Sequence, residues 1–263
     1  NNLAKLWDVY STAAASELTT VGAWIGLCAF SLEIYFDFSG YSDMAIGAAK
    51  MFGFDFKENF DYPYISASVT EFWRRWHISL GSWFRDYVYI PLGGNRKGKN
   101  RQLLNIAIVW ALTGFWHGAS WNFMLWGLYY AAFLIIEKLW LLKRLEKAPR
   151  LVSHLYAIVV CFSGWILFQI SDLAACGQYY KTMFGFGSGG GYAATDGFYL
   201  KTFALVFLIA ALGCTPLFAK LFHRLPKKVQ SVLCPVLIVL TLVLCTGYLV
   251  DATYNPFIYF RRF

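Results

Sequence analysis

Two histidines stand where a histidine is costly. His117, in TGFWHGASWNFMLWG, sits at the junction of two apolar runs, with Gly118 beside it and Trp116 and Trp121 close by. An ionisable group at membrane depth is penalised by burial, so it marks either function or a hydrogen-bonded structural role. Imidazole is the side chain that exchanges protons near pH 7, so catalysis and proton-linked transport both remain open here. His77 lies in VTEFWRRWHISL. At about 100° per residue it falls beside Trp73 and Phe84, toward an aromatic stripe, where it needs a partner or a purpose. Glu33 and Asp37 are four apart and share a helical face, and Asp43 follows in SGYSD. They line a polar chamber or hold the arginines of the next helix in an ion-pair network. Arg74, Arg75, Arg85 and Asp86 read as architectural or interfacial, and Asn122 as a chamber group or a helix–helix contact. His154 and His223 read as solvated interfacial groups near helix ends. The six cysteines show no CxxC or metal-type spacing, so no metal site is expected.

Positioning such groups is a task for membrane helices. Hydrophobic residues make up 58% of the chain and charged residues 14%, against roughly 45–50% and about 25% in soluble domains. One soluble core of this size cannot hide that much apolar surface. Runs near 18–38, 102–117, 120–141, 151–170, 199–219 and 229–250 approach the about 20 residues that cross a bilayer. The segment 40–56 is shorter and more polar, and reads as a partial or tilted helix. The fold class predicted is all-α: transmembrane, re-entrant and interfacial helices around a polar tunnel, in one domain over 1–263.

Segment 66–91 differs in kind. Ser68 and Glu71 form an S-x-x-E capping box, which starts a helix. Trp73, Trp76, Leu80, Trp83 and Tyr87 then recur at spacings of three and four, predicting one buried stripe, with Arg75, Ser79, Ser82 and Asp86 opposite. Arg74, Arg75 and Arg85 at the bilayer centre would cost about 2.5–3.5 kcal/mol each. The helix is therefore expected to lie in the interface or to re-enter.

The net charge of +8 sits in short clusters around 96–101, 138–150 and 220–228. With the spans as placed, all three fall on one side, which the positive-inside rule makes cytoplasmic. No continuous basic face survives between spans, so nucleic acid is not an expected partner. Membrane lipid is. GFGSGGG at 185–191 reads as a flexible connection. In the tail PFIYFRRF, Tyr259 reads as an aromatic anchor at the interface, or as a phenol that a base could activate as a nucleophile.

Taken together, EIYFDFSGYSDMAIGAAKMFGF, ENFDYPYISASVTEFWRRWHISLGSWFRDYVYIPLGGNRKG and GFWHGASWNFMLWG resemble the core of bacterial membrane-bound O-acyltransferases. YIPLGGNRKG and NPFIYFRRF favour the alginate O-acetyltransferase branch over teichoic-acid D-alanyl transfer. The resemblance implies that the chain is the C-terminal portion of such a protein, lacking further N-terminal helices. It implies that His117 is the catalytic base and His77 the second histidine of the same chamber. It further implies an acyl thioester donor (acetyl-CoA or an acyl carrier) as substrate, with no permanently bound cofactor. An extracytoplasmic acetyltransferase and polysaccharide-export machinery are the implied partners, in the bacterial cytoplasmic (inner) membrane, with Tyr259 as an acyl relay to that partner if it is not simply an interfacial anchor. The basic loop at 96–101 suits an anionic donor, though cytoplasmic topology explains it equally well. A tunnel-forming transporter or a scaffold subunit of an export complex would carry the same buried polar groups.

Overall fold

The structure, a computed structural model, describes residues 2–251. Among them regular structure is helical, apart from an isolated antiparallel bridge between Phe60 and Trp76. Helix α1 (Asn2–Ser11) packs Leu6 and Trp7 against α2 (Thr20–Met51). Thr19 caps α2 by accepting from the Gly22 N–H. At 1.5 Å per residue its 32 residues span about 48 Å, well beyond the roughly 30 Å hydrocarbon layer. The separate short helix expected at 40–56 is therefore a correction. Residues 40–51 continue α2, which ends where Gly53 takes a φ of 81°.

The glycine segment 185–191 also departs from expectation. Its Gly190 and Gly191 carbonyls accept from Thr20 and Val21, the otherwise unpaired first donors of α2. It is an ordered cap, and its glycines let the backbone run against Leu18.

Segment 66–91 is not one helix. Ser68 accepts from the Glu71 N–H and starts α3 (Val69–Arg75) as the capping box predicts. Trp76 then leaves helical geometry to bridge Phe60. His77 takes φ 48°, ψ 53°, and α4 (Ile78–Phe84) starts afresh, passing into a π-helical turn at Arg85–Tyr89. The break puts the two halves out of phase, so the single buried stripe fails. Trp76 is buried and Trp73 and Leu80 half-buried, while Trp83 and Tyr87 are 52% and 69% exposed.

Helix α5 (Lys99–His117) returns through a short turn into α6 (Trp121–Ile136). The pair packs closely because a Cβ at Gly114 would strike the Phe123 carbonyl and one at Gly127 the Trp110 carbonyl. A π-helical turn at Glu137–Leu141 carries α6 into α7 (Leu142–Leu145). Helix α8 (Arg150–Gln169) lies against α2, α3 and α6, and its Trp165 and Ile166 are fully buried. Helix α9 (Leu173–Met183) follows, then α10 (Ala194–Gly213), α11 (Leu217–Arg224) and α12 (Lys227–Asp251).

Five described helices are long and apolar enough to cross a membrane: α2, α6 continued through α7, α8, α10 and α12. The chain is a multi-pass membrane protein. The run at 102–117 does form α5, but α5 is not among the five, since Asn105 and the basic start at Lys99 and Arg101 dilute its hydropathy. The 199–219 run begins earlier than expected, at Ala194, and ends at Gly213. The apolar windows of α10 and α12 are 11% and 0% buried. Their exposed Leu and Val side chains suit lipid, which needs no polar coat.

Candidate functional site

Four helices converge on an aromatic centre. Trp73 of α3 meets Trp110 of α5, and Trp126 and Tyr130 of α6, with ring centroids 4.7–5.7 Å apart. Trp165 and Phe168 of α8 complete the wall at 5.7 Å from each other. All of these rings except Tyr130 line a cavity of about 240 Å³ that both sequence-predicted histidines also line, together with Arg74.

His117 is the last residue of α5, and its ring sits 4.9 Å from Trp126 and 5.2 Å from Phe168. The helix end places it there, because Gly118 turns the chain at once toward α6. His77 arrives from the other side. Its left-handed backbone, uncommon for a residue with a Cβ, swings the ring against Phe38 at 4.7 Å and Trp116 at 6.1 Å. Burial pushes the His77 imidazole down to about 4, so it is neutral near pH 7.

A second cavity, of about 670 Å³, shares Ile34 and Phe168 with the first. It is lined by polar groups that include Glu33, Asp37, Ser120 and Asn122. Glu33 and Asp37 thus stand not at the cavity that the histidines line but at this neighbouring one. Asn122 lines that cavity and also donates to the Leu167 carbonyl, joining α6 to α8.

The remaining described candidates line neither of these cavities. Asp43 is exposed and lines neither cavity. Arg75 pairs with Asp61 at 2.7 Å and with Glu71 at 3.0 Å, a local network that the extended 59–61 segment brings into reach. Arg85 and Asp86 pair with each other on the exposed surface, where such a bridge contributes little. His154, expected in solvent, is half-buried with Nδ1 3.1 Å from the Ser66 carbonyl, because α8 packs beside the start of α3. His223 is exposed, as expected. Tyr259 lies outside the described residues. Among the described residues no cluster of His, Cys, Asp and Glu could hold a metal.

Sequence reasoning missed Glu137. This side chain is 1% exposed, and its carboxylate accepts from the Val69 N–H (2.7 Å), the Thr70 N–H (2.8 Å) and the Thr70 hydroxyl (2.6 Å). With Ser68, which accepts from the Glu71 N–H, it satisfies the first donors of α3. The Glu71 carboxylate accepts from the Ala67 N–H just ahead, and together they fix the helix that carries Trp73 and Arg74. The visible signal was a lone carboxylate inside the 120–141 apolar run.

The family model for membrane-bound O-acyltransferases matches residues 2–176. The chain belongs to the membrane-bound O-acyltransferase family. The match takes in both cavities and both histidines. A protein from Azotobacter vinelandii named "Probable alginate O-acetylase" is 47% identical over 177 residues, covering 66% of this chain and 35% of that protein. One of the same name from Pseudomonas putida is 38% identical over 261 residues, 92% of this chain and 54% of its own length. A "Peptidoglycan O-acetyltransferase" from Helicobacter pylori is 36% identical over 174 residues, 65% of this chain and 33% of its own. The chain thus spans between about a third and about half of these relatives. Similarity to the alginate branch, anticipated from YIPLGGNRKG, is borne out.

Proposed function

We propose that the chain is the reaction core of an O-acyltransferase of the inner membrane that moves an acetyl group from a thioester to a hydroxyl. The observation that carries this is the pair of histidines on one aromatic-walled cavity, which shares Ile34 and Phe168 with a larger polar one. The small cavity takes the acyl thioester, and the polar cavity admits the hydroxyl. At about 240 Å³ the inner space is below the about 300–1,000 Å³ of pockets for drug-sized ligands, which favours a short acyl chain over a lipid tail.

His117 acts as general base. A sugar hydroxyl is a weak nucleophile until its proton is taken during attack, a service worth about 10²–10⁴ in rate. Buried rings around the imidazole keep bulk water from competing as acceptor. The donor is acetyl-CoA or an acyl carrier on the cytoplasmic side, where the basic loop at 96–101 suits its phosphate. The names of the relatives, which print alginate and peptidoglycan, support a polysaccharide as final acceptor. An extracytoplasmic acetyltransferase and export machinery complete this proposal as partners. Tyr259 is the candidate relay.

The test uses the full-length protein in membrane vesicles with a labelled acetyl thioester. Release of thiol coupled to acetyl transfer, lost by at least about 10²-fold in His117→Ala, is expected. Transport of a glycan without any acyl release, unaffected by His117→Ala, would replace this reading with that of a transporter.

A further inference from the structure

The small cavity holds an unspent pair of hydrogen-bond donors. Trp126 is 1% exposed, and Trp73 has its indole nitrogen fully shielded. Neither indole N–H meets an acceptor among the described residues. A third indole of the wall, Trp165, is also buried without an acceptor, but the Tyr64 hydroxyl stands near it. Buried polar groups are nearly always satisfied, so an orphan calls for an explanation. Phe would fill an apolar wall as well and would leave no donor behind. Trp126 and Trp73 meet edge-on at 5.7 Å, both line the space that His117 lines, and the Trp126 ring lies 4.9 Å from that imidazole.

We propose that the indole N–H groups of Trp126 and Trp73 are the donors that receive the acyl carbonyl oxygen as it becomes an oxyanion. The inference rests on the acyl-transfer reading and names catalytic residues for it. The hydroxyl oxygen bonds to the carbonyl carbon while its proton passes to the His117 imidazole. The carbonyl π pair moves onto oxygen, where the indole N–H groups meet it. Collapse re-forms C=O and breaks the C–S bond, and the thiolate leaves with the proton returned by the imidazolium. Fixed donors in a dry site act at their strongest on charge that develops only in the transition state. Both indole nitrogens are shielded from a water-sized sphere, so binding of the thioester turns each ring enough to present its N–H to the carbonyl oxygen.

The test separates the N–H from the ring. In the full-length enzyme, Trp126→Phe should lower kcat by about 10²-fold or more with the donor KM within about twofold. Replacing the Trp126 indole by a benzothiophene, which keeps the ring shape and removes only the N–H, should do the same. Trp73→Phe should give a smaller loss in the same parameter. A second readout needs no turnover. With a carbonyl-¹³C thioester bound to His117→Ala enzyme, the carbonyl stretch should lie at low frequency and rise when Trp126→Phe is added. Benzothiophene enzyme with unchanged kcat, or a carbonyl frequency indifferent to the indole, overturns the assignment while leaving His117 as base. Full activity in His117→Ala alone instead overturns the base assignment, and the carbonyl frequency still decides the indoles.

Discussion

At the scale of single residues, His77 shows how a site stores strain. A left-handed backbone at a residue with a Cβ costs of order 1–3 kcal/mol and survives only where its surroundings enforce it. Here the enforcement is the Phe60–Trp76 bridge and the Ile78 N–H bond to the Asn59 carbonyl, which hold the chain on both sides. The same ring carries a pH signature. Its folded value, about 4, lies below the about 6.5 of an unfolded histidine. Above pH 6.5 both states are neutral and His77 contributes nothing. Between pH 6.5 and 4 the unfolded chain binds a proton that the folded one refuses, so stability falls as pH falls. The temperature of thermal inactivation in detergent should drop across that window. His77→Asn, which tolerates the left-handed backbone, should remove part of the drop. An identical pH profile in His77→Asn would mean that other groups titrate there.

At the scale of elements, the start of α3 decides where the chemistry sits. A helix of seven residues has too few internal bonds to hold itself, so its first donors need outside acceptors. Ser68 supplies the local one, for the Glu71 N–H, while Glu71 ties down the Ala67 N–H just ahead. The S-x-x-E spacing made both legible because a capping box is a contact between near neighbours. Glu137 supplies the others from 67 and 68 residues away, and no periodicity encodes that pairing. The break at His77 escaped for the same reason: FWRRWHISL is helical by pattern, and what interrupts it is a bridge to Phe60. Glu137→Ala leaves the Val69 and Thr70 N–H groups without acceptors, at about 1–3 kcal/mol each. Its thermal midpoint should fall and its donor KM rise, since α3 carries Trp73 and Arg74 into the cavity. Glu137→Gln, which keeps one accepting oxygen, should lie between. Steady-state kinetics beside a thermal scan checks both, and wild-type values in Glu137→Ala would show that α3 holds its place unaided.

At the scale of the molecule, what the sequence disclosed was hydropathy and long motifs. Apolar runs located α8 and α12 closely because lipid demands them, and GFWHGASW pointed to His117. The partition between two cavities was illegible, since Ile34 and Phe168 come from helices distant in sequence and each looks like ordinary core. That partition carries a consequence for the whole reaction. Phe168 packs against Phe123, Trp126 and Trp165 at 5.2–5.7 Å, so its ring forms part of the wall between the polar cavity and His117. Phe168→Ala would cost about 3–5 kcal/mol through the void it leaves, enough to confuse leakage with unfolding. Phe168→Leu keeps most of the apolar volume while thinning the wall. Water should then reach the acyl carbonyl more readily than in the native site. The ratio of free acetate to transferred acetyl should rise severalfold, with total thiol release within about threefold of wild type. Both products can be counted from one labelled thioester in the same vesicles. An unchanged ratio in a stably folded Phe168→Leu protein would mean that the acceptor hydroxyl reaches His117 by a route that does not pass this ring.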